Sequence, residues 1–248
     1  MKSNSERLSV FGGNGFIGQH FQKLSSYKTL IIDRNSVESL TSTAIYFIGT
    51  VDNYNVFTNP HLDVETNLNK LIAVLEFNRR KFKDFRIIFI STWFVYGRGR
   101  VPFNENQACN PKGFYSITKL CAEQLLDSYC ETFNLNYSII RLGNVLGPNN
   151  NLSEKRNVFQ HMIHSIRDNQ EIRIYENGRI VRDFIHINDV IAGIDLVINK
   201  GKNKNVYNLS SGNGVNIYEL IQQYKKRIGS KSEIKLVDTP IFQKKNNS

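Results

Sequence analysis

Cysteines are few in this chain and long apolar runs are missing, and each scarcity excludes a class of protein. Three cysteines occur in 248 residues, Cys109, Cys121 and Cys130. They form no CxxC pair and have no histidine or cysteine companions at metal-ligand spacing, so neither a disulfide scaffold nor a zinc module is expected. All three read as packing residues, and an odd count suits a reducing compartment. No apolar run approaches the roughly 18 residues needed to cross a bilayer. The polar stretch Met1 to Arg7 leads straight into a strand and lacks the apolar core of a signal peptide. A cytoplasmic protein without a membrane segment is therefore expected. Repeats and low-complexity segments are lacking too.

The remaining composition is that of a globular chain, with 40% hydrophobic and 22% charged residues. It suffices for one large domain, or a main domain with a small lobe. A formal net charge of +10 suits either nucleic acid or a phosphate-rich substrate. Lysine and arginine are scattered, dense only at Arg79-Arg80-Lys81, Lys225-Lys226-Arg227 and Lys244-Lys245. No basic face interleaved with aromatics emerges, so nucleic acid is not the expected partner.

Short β-rich runs alternate with amphipathic stretches, the pattern of a parallel sheet covered by helices. Strands are expected at Leu8–Phe11, Thr29–Ile32, Ala44–Ile48, Arg86–Ile90 and Tyr137–Arg141, each a nearly continuous apolar run. Helices are expected at Phe16–Leu24, His61–Asn78 and Phe114–Phe133, the second from the spacing of Leu68, Leu71, Ile72 and Leu75. After Gly147-Pro148 the character changes. A polar loop from Asn149 to Asn157 precedes a helix over Val158–Asp168, a strand Ile172–Tyr175 and a turn at Glu176-Asn177-Gly178.

Val10-Phe11-Gly12-Gly13-Asn14-Gly15-Phe16-Ile17-Gly18 follows a strand and opens a helix. Gly12 permits the tight turn, Gly15 lets backbone approach a pyrophosphate, and Gly18 allows close helix–strand packing. The helix N-terminus then presents unpaired N–H groups to the phosphates. The next strand ends at Asp33, where a carboxylate would bond the ribose hydroxyls. Asp33 favours NAD, because a carboxylate repels a 2′-phosphate, while Arg34 beside it keeps NADP open. The fold class is thus α/β, a Rossmann-type doubly wound parallel sheet. Residues 1–146 form the dinucleotide-binding domain, and 147–248 a shortened substrate-binding lobe interleaved with it.

Tyr115 and Lys119 lie four apart on an expected helix and share one face. A phenol with a pKa near 10 is a poor base at neutral pH. A neighbouring ammonium and a cationic nicotinamide would bring it toward working range. The pair comes one strand and loop after Ser91-Thr92, at the strand end where open α/β sheets place ligands.

Here the chain resembles the extended short-chain dehydrogenase/reductases, the nucleotide-sugar epimerase/dehydratase group. The likeness rests on the glycine loop and four further blocks in the family's order. They are Phe89-Ile90-Ser91-Thr92-Trp93-Phe94-Val95-Tyr96-Gly97, Pro111-Lys112-Gly113-Phe114-Tyr115-Ser116-Ile117-Thr118-Lys119, Arg141-Leu142-Gly143-Asn144-Val145-Leu146-Gly147-Pro148, and the stretch from Gly178-Arg179 through Arg182-Asp183 to Asn188-Asp189. The resemblance implies that Tyr115 is the general acid/base, Lys119 its partner and a contact to the nicotinamide ribose, and Thr92 the hydroxyl that bonds the reacting sugar oxygen. It puts Phe16, Ile17, Ile48, Gly49 and Asn67 on the cofactor side. Arg182 is implied to grip the diphosphate of a nucleotide sugar, with Asn144 and Asn157 as further substrate contacts. A homodimer packing Val64–Leu75 and Phe114–Cys130 in a four-helix bundle is implied too.

Departures from the family's pattern narrow this. Members that dehydrate the sugar carry acids after the hydroxyl residue, where this chain has Trp93 and Phe94, so an epimerase or a 4-ketoreductase is expected. Ten residues separate Asp33 from Ala44, too few for the strand and helix the family inserts there, and no second diphosphate arginine is found beyond Asn208-Leu209-Ser210-Ser211-Gly212. A weakly catalytic dinucleotide sensor, or an RNA-binding protein on the same scaffold, is the competing reading.

Overall fold

The computed structural model describes residues 6–51, 55–97, 102–148 and 158–238. In chain order the elements are β1 (Arg7–Phe11), α1 (Phe16–Leu24), β2 (Lys28–Ile32), β3 (Thr43–Tyr46), α2 (Asn55–Thr58), α3 (His61–Val64), a π-helical turn (Glu65–Asn69), α4 (Lys70–Lys81), β4 (Arg86–Thr92), a 3₁₀ turn (Trp93–Tyr96) and α5 (Phe114–Phe133). There follow β5 (Asn136–Leu142), β6 (Asn144–Leu146), α6 (Val158–Arg167), β7 (Ile172–Ile174), a 3₁₀ turn (Glu176–Gly178), β8 (Val181–His186), α7 (Ile187–Lys200), β9 (Asn205–Leu209), β10 (Gly214–Asn216), α8 (Ile217–Ile228) and β11 (Ile234–Leu236).

Six strands form an all-parallel sheet in the order β2-β1-β3-β4-β5-β9. Alternation along each strand supplies both faces. Ile87 and Phe89 of β4 join Tyr46, Leu71, Leu75, Leu126 and Ile139 under α4 and α5. Their neighbours Ile88 and Ile90 join Val10, Phe21, Ile140, Ile191 and Ile194 under α1 and α7. Strands buried on both faces have to be apolar throughout, which is why they read as continuous runs. Strand order reverses between β1 and β3, so a crevice opens there at the carboxyl edge of the sheet, the usual ligand position of this architecture.

A smaller lobe follows, with a three-stranded sheet β10-β8-β6 and the parallel pair β11-β7. Its own core is Met162, Ile166, Ile172, Ile174, Ile217 and Ile221. Between the lobe's segments the chain re-enters the main sheet, where β9 pairs with β5. The short return from Asp33 leaves β2 as the edge strand.

Two expectations about local structure need correction. The helix expected over His61–Asn78 is α3 and α4 joined by the five-residue π turn, and it runs on to Lys81. Ile72, counted on the apolar stripe, faces outward, while Leu71, Val74 and Leu75 face in. The strand expected over Ala44–Ile48 ends at Tyr46, because Phe47 makes the last ladder bond, to the Phe11 carbonyl, before the chain turns away.

One buried ion pair lies beneath the β4–β5 register. Arg141 Nη2 is 2.6 Å from Glu123 Oε2, its Nε donates to both carboxylate oxygens at 3.2 and 3.1 Å, and the Ser91 hydroxyl donates to Glu123 Oε1. The guanidinium lies 4.8 Å over the ring of Tyr96. Removing one member strands the other charge in the interior. Glu123→Ala is expected to lower the free energy of unfolding by about 3–5 kcal/mol in urea titrations; a loss below about 1 kcal/mol, the range of an exposed pair, would contradict this role.

Candidate active site

The glycine loop is shaped by what it excludes. Gly12 sits at φ 77°, and a Cβ there would lie 3.0 Å from the Ile48 nitrogen. A Cβ on Gly18 would lie 2.5 Å from the Gly12 carbonyl oxygen, so α1 can approach the loop this closely only without a side chain. At Gly15, the N-cap of α1, a Cβ would meet only the Gly12 oxygen, at 3.4 Å. Neither a capping side chain nor an acid occupies the first turn of α1, leaving its N–H groups and positive pole for an anion. Gln22 and Gln19 brace the loop by donating to the Gly13 and Asn14 carbonyls at 2.7 and 2.8 Å. Phe16 and Ile17 are half-buried against the core on the α1 side. Asp33 is exposed just past β2, with Oδ1 accepting from the Asn35 N–H at 2.8 Å and Arg34 exposed beside it. A cradle that any Cβ would fill, an uncapped helix start and a carboxylate beyond the next strand fit a dinucleotide.

The third wall comes from the π turn, which turns Asn67 inward. Its Oδ1 accepts from the Thr50 N–H at 3.0 Å, and its Nδ2 donates to Thr50 Oγ1 and Thr118 Oγ1, both at 2.9 Å. Asn67 thus ties the segment after Ile48 and Gly49 to α5. A Cβ on Gly49 would lie 3.3 Å from Asn67 Oδ1 and 3.5 Å from Lys119 Nζ. The structure therefore brings Gly49, Asn67 and Lys119 together.

Thr92 is the last residue of β4 and the N-cap of the 3₁₀ turn, its oxygen accepting from the Phe94 N–H at 3.3 Å. Its hydroxyl also hydrogen-bonds with the phenol of Tyr115. Burial pushes that phenol up to about 12; the bond from Thr92 lowers it, and the nearby charge of Asp63 raises it. Lys119 is 3% exposed. Its Nζ donates to the Ile90 carbonyl at 2.8 Å and lies 4.1 Å over the Phe89 ring. Burial depresses it to about 8, while the charge of Glu123 raises it. The expected lowering of the phenol by Lys119 is not the state of this structure. Burial dominates the phenol, and the ammonium is tethered to the Ile90 carbonyl of β4.

From the lobe, Arg182 stacks its guanidinium 5.3 Å over the ring of Trp93, the residue after Thr92. Burial lowers its pKa. Asp183 does not pair with it: that carboxylate accepts from Ser211 and Gly212. Asn144 donates to the Asp183 carbonyl at 2.9 Å and so holds β6 to β8. Asn157 and the Asn149 to Asn157 loop lie outside the described residues; among the described residues no cluster of three metal-ligating side chains occurs. Among described residues, no helix is long and apolar enough to cross a membrane.

Sequence reasoning missed Glu123, four beyond Lys119 on the same buried stripe of α5. It also missed Asp63, whose buried carboxylate accepts from the Thr50 hydroxyl and from Asn55. The available signal was an arginine and an acid placed in otherwise apolar patterns.

Residues 31–210 match the sequence profile described as the NAD dependent epimerase/dehydratase family. A dTDP-D-glucose 4,6-dehydratase of Dictyostelium discoideum is 25% identical, over 83% of this chain and 58% of that protein. A low-salt glycan biosynthesis protein of Haloferax volcanii is 26% identical, over 92% of this chain and 85% of that protein. Among solved structures, a UDP-glucose 4-epimerase of Thermotoga maritima with UDP-glucose matches at a TM-score of 0.84 and 20% identity, covering 98% of this chain and 88% of that one; this likeness shows the fold.

The depressed lysine has a consequence for stability. Between pH 8 and 10.5 the unfolded chain carries a proton on Lys119 that the folded chain lacks, so this residue makes stability rise with pH across that window. The rise is on the order of 3 kcal/mol at most. Lys119→Met is expected to lack it: the difference in urea-unfolding free energy between wild type and variant should move in favour of wild type as pH increases. A difference that is flat with pH would refute the depressed value.

Proposed function

The chain belongs to the NAD dependent epimerase/dehydratase family, and we propose that it moves hydride at a ring carbon of a nucleotide-activated sugar, as an epimerase or a 4-ketoreductase. One observation carries this reading: the hydroxyls of Thr92 and Tyr115 meet at the carboxyl end of β4, one turn of α5 from Lys119, whose ammonium neighbours Gly49. NAD is the cofactor, with Gly12, Gly15, Phe16, Ile17 and Gly18 around its diphosphate, Asp33 at a ribose and Ile48, Gly49 and Asn67 flanking it; Arg34 keeps NADP in play. When bound, its nicotinamide would supply the hydride exchange and, oxidised, a positive charge.

The protein's own groups then divide the work. Thr92 donates to the reacting sugar oxygen and keeps it against the phenol. Tyr115 takes or returns the proton of that oxygen. Burial suppresses the phenolate in the absence of ligand, so the proton moves only once a cation and the sugar oxygen are in place. Lys119, anchored at Ile90, would contact a cofactor ribose. Arg182, which donates to the Val181 carbonyl and forms no ion pair among the described residues, takes the diphosphate, and Asn144 and Asn157 complete the substrate side. Trp93 and Phe94 offer no acid for removing a ring hydroxyl, which disfavours dehydration despite the dehydratase among the relatives.

The test is incubation with NAD, NADH or NADPH and a panel of nucleotide sugars and their 4-keto forms. Tyr115→Phe is expected to lose about 10²–10⁴-fold in turnover while cofactor affinity stays at the wild-type level. Full activity in that variant would remove the phenol from the mechanism.

The outward faces of α4 and α5 support a homodimer built on Val64–Leu75 and Phe114–Cys130. Ile117 and Leu125 form an exposed stripe on α5, opposite the stripe of Tyr115 and Lys119, and Ile72 and Phe77 are exposed on α4. Sedimentation is expected to give a dimer, and Ile72→Asp with Leu125→Asp a folded monomer. A monomeric wild type would refute the assembly.

A further inference from the structure

Between the lobe and the phenol runs an unbroken stack of side chains. The Arg182 guanidinium lies over Trp93 at 5.3 Å. Trp93 stacks on Phe94 at 4.4 Å between ring centroids and an interplanar angle of 26°. Phe94 meets Tyr115 edge-on at 6.4 Å and 75°. Phe103 backs Trp93 at 6.5 Å and is itself stacked on Tyr96 at 4.8 Å, whose hydroxyl donates to Asn208. Phe94 is fixed a second time through its N–H to Thr92. Trp93 and Phe94 are half-buried, and each ring has aromatic or cationic neighbours on more than one side, contacts that would be lost if it swung aside.

The two ends of this stack are the two ends of the proposed substrate. A diphosphate at Arg182 and a sugar oxygen at Thr92 and Tyr115 put the sugar ring alongside Trp93 and Phe94. An epimerase has to let the keto-sugar turn, so that its second face meets the hydride, and that turn sweeps volume beside the hydroxyl pair. Here two stacked aromatic rings border that volume.

Resting on the function proposed above, we infer that Trp93 and Phe94 determine the stereochemistry: they hold the sugar to one face, and the chain reduces a nucleotide-linked ketosugar instead of epimerising it. The ketone carbon gains the hydride lost by the reduced nicotinamide, the ketone oxygen takes the phenolic proton of Tyr115, and solvent reprotonates the phenolate. One reduced dinucleotide is consumed per secondary alcohol formed. The substrate is therefore the product of a reaction that oxidises a sugar carbon to the ketone.

Stereochemistry is the decisive test. Wild type with NADH or NADPH and a UDP- or dTDP-linked 4-ketohexose is expected to oxidise cofactor in step with product and to yield a single C4 configuration by NMR. It should not interconvert UDP-glucose and UDP-galactose in the presence of NAD. Phe94→Leu, which keeps apolar volume, and the double variant Trp93→Ala/Phe94→Ala are expected to yield both C4 configurations in increasing proportion, with folding checked by thermal unfolding. Trp93 is the single tryptophan of the chain, so its emission reads the site directly: titration with UDP should change it saturably, and Arg182→Ala should abolish the change. Interconversion of the two UDP-hexoses by wild type, the same single configuration from the folded double variant, or a tryptophan blind to UDP would each overturn the inference. Absence of any hydride transfer by wild type, by contrast, would overturn the reading on which it rests.

Discussion

Everything at the site depends on one face of α5 lying along β4. Tyr115, Lys119 and Glu123 form a buried stripe at four-residue spacing, and each is anchored to a different part of the sheet's carboxyl half. The phenol reaches Thr92, the ammonium the Ile90 carbonyl, and the carboxylate Arg141 and Ser91. Three ionisable groups side by side in the interior would be costly if any lacked a partner. The Glu123–Arg141 pair meets that demand at the deep end. The charge of Glu123 also opposes the lowering of the lysine by burial.

Much of this was legible because parallel sheets leave a plain record. Double burial produces continuous apolar strands, and the limits of α1 and α5 coincide with those read from the sequence. Gly12 and Gly18 could be assigned roles because close backbone approach admits no other residue, and the contact distances bear that logic out. The lobe was less readable. Its strands are only three to six residues long, too short for a period to emerge. β9, the edge strand of the six-stranded sheet beside β5, is interrupted by Asn205 and Asn208 and gave no apolar run.

Electrostatics was the least legible layer. Tyr115 and Lys119 were found from spacing, but the direction of the phenol's shift depends on burial and on where the ammonium is tethered, and spacing reports neither. Arg182 was marked as a candidate diphosphate ligand by resemblance alone. That its guanidinium rests on Trp93 and leaves Asp183 to the Ser211–Gly212 turn is a property of the fold.

The π turn at Glu65–Asn69 carries a consequence of its own. A stretch of wider helix changes the angular phase between the segments on either side, so Asn67 can point at Thr50 and Thr118 while α4 sets its own inward and outward faces. The two halves are offset in rotation. Drift of residues on the outer face of α4 can then remodel what that face meets without re-aiming the amide that ties Thr50 to Thr118, whereas deleting a single residue from the turn would swing Asn67 out of the interior by about 100°, more than a right angle.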